Sequence, residues 1–246
     1  DGALGAHGAW LLEPYVDLPT STGLNTMPLE ELRETARLAI ENDFQLCTHA
    51  IGDRANRELL DIYEQAFADH PEKKDLRWRV EHAQHLAPSD IPRFGRLGVI
   101  ASMQGVHCTS DGPWVVKKLG ELRAREGAYV WRSIMDGGAL ICNGTDAPVE
   151  DVDPIPSFYA IVTRKMKDGT AFFPEQRLSR EEALRTYTFN GAYAAFQEDL
   201  LGSIKTGKLA DITVLSRDIM TVPEEEICQT EVRLTIVGGR VLYQKN

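Results

Sequence analysis

Four short apolar runs punctuate the first 145 residues, and stretches of helical periodicity separate them. The runs are "FQLCTHA" at 44–50, "WRVEHA" at 78–83, "GVIASMQ" at 98–104 and "ALICNGT" at 139–145. Strands that alternate with helices read as βαβ units, and the near-continuous apolar character of these runs suits a parallel sheet buried on both faces. Leu29, Leu32, Ala36, Ala39 and Ile40 recur at helical spacing, which predicts a helix over 27–43. Further helices are expected over 54–67, 89–97 and 129–136, with a long loop containing "CTSDGPW" between 105 and 128. A helix over 179–196 then gives way to "GSIKTGKLADITVLS" and "VRLTIVGGRVLYQ", where Gly238 and Gly239 stand between two β-rich runs as a hairpin turn would. A boundary near Glu198 therefore separates an α/β domain, 1–198, from a small β module, 199–246.

The four predicted strands end alike. His49, His82, Gln104 and Asp146 fall at their C-terminal ends, the edge at which parallel α/β folds bind ligands. Asp146, in "NGTDAPV", has nothing nearby in sequence to neutralise it. Two imidazoles and a carboxylate suit a divalent cation such as zinc, which takes nitrogen and oxygen ligands and can leave a position open for water. Such a cation acidifies water, and an adjacent carboxylate can take the proton as the water attacks a carbonyl. Asp146 is thus the candidate for both ligand and base. Plainer readings exist, since a lone strand-end His is commonly structural and an Asp before Ala-Pro can simply open a turn. The coincidence of three equivalent positions carries the metal reading. His107, in the loop after the third strand, and Gln104 fall where substrate contacts are expected. His85 is expected in a loop, His70 at the surface, and Arg79 and Glu81 on the face opposite His82, in an ion pair to a neighbouring element.

Charge narrows the partners. The formal net charge of -10 repels a phosphate backbone and sets nucleic acid aside, leaving a small-molecule substrate. No apolar stretch approaches the roughly 20 residues that cross a bilayer. Cys47, Cys108, Cys142 and Cys228 show no paired spacing and suit reduced thiols, so the expected compartment is the cytoplasm.

Five ordered segments resemble the amidohydrolase superfamily, and more narrowly its third family, the YtcJ-like branch that includes N-substituted formamide deformylase. They are "HAIGDRA" (49–55), "RVEHAQ" (79–84), "ASMQGVHCTSD" (101–111), "GTDAPVEDVDP" (144–154) and "GSIKTGKLADITVLS" (202–216). The resemblance implies the C-terminal half of a TIM-like (β/α)8 barrel with part of a β-sandwich, and a centre of one or two divalent metal ions, zinc foremost. It makes His49 and His82 metal ligands, Asp146 a ligand that accepts a proton and returns it to the leaving nitrogen, and His107 a substrate contact. The implied reaction is hydrolysis of a non-peptide C–N bond, amide or formamide in type. Departures accompany it: no HxH pair occurs, the Lys expected just before "DG" is absent, Gly105 replaces a Pro, and His7 stands in place of an Arg. The first two of these gaps, and the inability of four strands to close an eight-stranded barrel, lead to the expectation of an N-terminal half of the same protein as partner, with homo-oligomerisation open. The half by itself is expected to be inactive. A non-catalytic remnant or interaction module is the rival, because a fold does not by itself fix an activity; an ester or cyclic imide substrate is a third reading.

Overall fold

The computed structural model describes residues 1–245. The chain packs as two compact units, residues 1–103 with 108–141, and residues 104–107 with those from 142 on.

In the first unit, α1 (Leu29–Glu41) leads into β1 (Cys47–Ala50), followed by α2 (Asp53–Asp69), β2 (Arg79–His82), α3 (Ile91–Leu97) and β3 (Ile100–Gln104). The amphipathic spacing explains the helices: α1 buries Ala36, Ala39 and Ile40, and α2 buries Leu59, Leu60, Ile62 and Tyr63. Trp78, fully buried, meets the rings of Tyr63 and Phe67 edge-on at 4.8 and 5.0 Å. Val80 and Ala101 lie opposite each other on β2 and β3 and are both fully buried, and burial of a side chain such as Val80 contributes about 1.5–3 kcal/mol. The strands run in the order β1-β2-β3-β4, with β4 at Ile141–Gly144. The parallel arrangement predicted from the alternation is the one observed.

The segment 105–128 is not a loop. It forms α4 (Gly105–Leu119) and α5 (Glu121–Gly127), followed by α6 (Trp131–Asp136). Gly105, Gly112 and Pro113 disguise the helical pattern, yet Cys108, Val115 and Leu119 are buried at intervals of seven and four residues, which is one helical face. Pro113 sits inside α4, where its missing N–H removes an intrahelical bond, an effect that packing of that face overrides.

The second unit contains α7 (Pro154–Thr163), α8 (Arg180–Tyr187) and α9 (Phe189–Ala194), then β5 (Ile212–Leu215), β6 (Val232–Val237) and β7 (Arg240–Gln244) in an antiparallel sheet. Helix α7 was not expected, although "DVDP" carries its start signal: Asp153 caps it by accepting from the Ile155 N–H at 2.9 Å, and Pro154 takes the first turn. The single helix expected over 179–196 is two, broken at Thr188. Ser179 and Glu182 form a reciprocal capping box at the start of α8. The Gly238–Gly239 turn is as expected, with φ of 56° and 78°. None of the four cysteines forms a disulfide among the described residues, and no described helix is long and apolar enough to cross a membrane.

Candidate metal centre

His49 is the penultimate residue of β1 and His82 the last of β2, and their register makes their meeting a local feat of backbone. In the parallel pair, His49 lies opposite Glu81 while Ala50 lies opposite His82. Opposite residues share a face, so regular strands would send the two imidazoles to different sides of the sheet. Their rings nevertheless meet edge-on with centroids 4.5 Å apart. The strand ends in left-handed backbone, φ 78° at His82 and 44° at Ala83, which redirects the His82 side chain. A non-glycine residue in that region costs about 1–2 kcal/mol, and such strain gathers at sites where a side chain must be aimed. Asp146, two residues past the end of β4, is also left-handed, with φ 60°.

Arg79 and Glu81 pair with each other at 2.8 Å on the same face as His49. Behind the strands, the fully buried Asn56 of α2 directs its amide nitrogen at the carbonyls of Ala50, Gly52 and His85 at 3.2, 2.9 and 3.3 Å. Asn56 thereby ties the ends of the His49 and His82 segments together. Nothing in the sequence reading singled it out, although its place one turn into the helix after "HAIGD" suits such a tie.

His107 lies in the first turn of α4, not in a loop. The helix starts against α7: Ser157 Oγ accepts from the Val106 N–H at 3.0 Å, and a Cβ on Gly105 would fall 2.4 Å from Ile161 Cγ1. That close approach explains why glycine stands there. The His107 side chain is 8% exposed, and its Nε2 is 3.8 Å from Asp146 Oδ2, whose carboxylate is 35% exposed. In the first unit His49 and His82 present imidazoles at neighbouring strand ends, and in the second His107 and Asp146 present an imidazole and a carboxylate. Imidazole nitrogens and carboxylate oxygens are donors suited to a divalent cation of zinc type. His107, assigned from sequence to substrate, thus stands beside a candidate ligand. Gln104 is buried at the end of β3.

A profile described as "Amidohydrolase family" matches residues 1–243. The chain belongs to this family. It is 40% identical to the Arabidopsis thaliana protein LONG AFTER FAR-RED 3 over 244 residues, 99% of this chain and 42% of the relative. It is 34% identical to the Bacillus subtilis putative amidohydrolase YtcJ over 249 residues, 100% of this chain and 46% of the relative. Among solved structures, an uncharacterized metal-dependent hydrolase from Pyrococcus horikoshii superposes with a TM-score of 0.80 at 31% identity, covering 92% of this chain and 44% of that one. This amidohydrolase chain spans less than half the length of the curated relatives it matches.

Proposed function

We propose that this chain carries part of the active site of a metal-dependent hydrolase acting on a non-peptide C–N bond, an N-substituted amide or formamide. The His49–His82 pair of one unit and the His107–Asp146 pair of the other carry the reading, as ligands to one cation. Membership of the amidohydrolase family and likeness to a metal-dependent hydrolase of known structure support it. Zinc is the proposed ion on the grounds of its ligand chemistry.

A cation bound there supplies Lewis acidity, lowering the pKa of a water and polarising a carbonyl oxygen. Asp146 divides its work between two oxygens. One would hold the cation, and the other would take a proton from water as the C–O bond forms and return it to the leaving nitrogen as the C–N bond breaks. Partial exposure keeps that carboxylate reachable by substrate. The buried His107 and the strained His82 hold their ring positions without rearrangement, so little ordering remains to be done when substrate arrives. Gln104 is proposed to orient the substrate. The whole protein is proposed to include an N-terminal half that completes the barrel.

The test is metal analysis and a hydrolysis assay on a panel of N-substituted formamides and amides, run on the whole protein and on His82→Ala. Loss of bound metal together with turnover is the expected result. Unchanged metal content and rate in His82→Ala would remove His82 from the site and the reading with it.

A further inference from the structure

The carboxylate of Asp1 is nearly inaccessible, its side chain 1% exposed, and it is surrounded by donors. Oδ2 accepts the N–H groups of Gly52 at 2.7 Å and Trp10 at 2.9 Å, and Oδ1 accepts that of Ile51 at 3.0 Å. Ile51 and Gly52 directly follow the end of β1, two and three residues past His49. The same Oδ1 lies 3.4 Å from Nε2 of His49. A buried anion is costly unless it is well compensated, and three main-chain donors compensate this one. The turn itself is tightly built, since a Cβ on Gly52 would fall 2.0 Å from the Trp10 carbonyl oxygen. Asp1 therefore grips both the backbone that follows His49 and one edge of its ring.

We propose that Asp1 is a positioning residue for His49, fixing the orientation of the imidazole and its tautomer. A neutral imidazole carries one N–H and one lone pair. A carboxylate beside Nε2 favours the proton on that nitrogen, which leaves the lone pair on Nδ1, the nitrogen then able to serve a cation. The inference rests on the metal reading above only for its consequence; the tautomer is a property of the metal-free chain.

The tautomer is read directly by NMR of the metal-free protein labelled with 15N in its histidines, with the His49 signal assigned through its loss in His49→Gln. The expected spectrum shows His49 protonated at Nε2, shifting toward a tautomer mixture in Asp1→Asn. Zinc affinity, measured by competition with a chelator under conditions in which circular dichroism shows the variant folded, should fall about 10–100-fold. A wild-type His49 protonated at Nδ1 overturns the proposal without any variant being made. So does a folded Asp1→Asn protein with the tautomer and zinc affinity of wild type, the result a purely structural Asp1 would give. If the tautomer responds as expected while the wild type binds no zinc, the positioning role stands and the metal reading fails.

Discussion

His85 supplies the sharpest stability prediction. The sequence places it in a loop three residues past His82, but its side chain is fully enclosed, 2% exposed, and neither ring nitrogen has a hydrogen-bond partner. It packs edge-on against Tyr129 at 5.5 Å. Burial, and secondarily the charge of Arg123, pull its pKa down to about 3. In the unfolded chain the pKa returns to about 6.5. Below that value the unfolded state binds a proton that the folded state refuses, so stability falls as the pH falls, by about 1.4 kcal/mol per pH unit, until it levels off near the folded pKa. Between pH 7 and pH 5 the loss from this one group is about 2 kcal/mol. The assay is urea unfolding at both pH values with a chelator present, so that cation release contributes nothing, on wild type and His85→Leu. Comparing the two proteins cancels the carboxylates they share. Wild type should lose about 2 kcal/mol more than the variant between pH 7 and 5, and at pH 7 the variant should be at least as stable, because no hydrogen bond is removed. Equal losses in the two proteins would refute the burial argument.

Other perturbations act on the frame around the site. Asn56→Ala should cost about 1–3 kcal/mol in urea unfolding, because the buried carbonyls of Ala50, Gly52 and His85 lose a shared donor, and zinc affinity should drop with it. Gly105→Ala should lower stability by about 1–3 kcal/mol through the clash with Ile161, and by shifting the first turn of α4 it should also weaken metal binding through His107. Ser179→Ala removes a capping box and should cost about 1 kcal/mol by thermal unfolding while leaving metal content unchanged, a control that separates stability from site geometry.

Much of the scaffold was legible because strand and helix periods differ so plainly in the first 145 residues. Each of "CTHA", "RVEH", "IASMQ" and "ICNG" is a strand, and the alternation alone implied their parallel order. What escaped depends on contacts distant in sequence. Helix α4 was hidden by Gly105 and Pro113, residues ordinarily read as breaks, and Gly105 makes sense only once Ile161 is seen against it. The encounter of His49 with His82 could not come from strand alternation, which sends them to opposite faces; it depends on the left-handed backbone at His82, a conformation residue type rarely announces. His107 looked like a substrate contact because it was placed in a loop, and its helical setting beside Asp146 puts it among the candidate ligands. Asp1 carried no signal of its own, since its donors come from residues nine and about fifty positions away.

The claim that these side chains share one cation is tested most directly by anomalous diffraction at the zinc edge, from crystals of the protein grown with zinc. The account predicts a peak bonded to nitrogens of His82 and His107 and an oxygen of Asp146, each at about 2.0–2.2 Å. A zinc peak elsewhere, with these three side chains left uncoordinated, would contradict it.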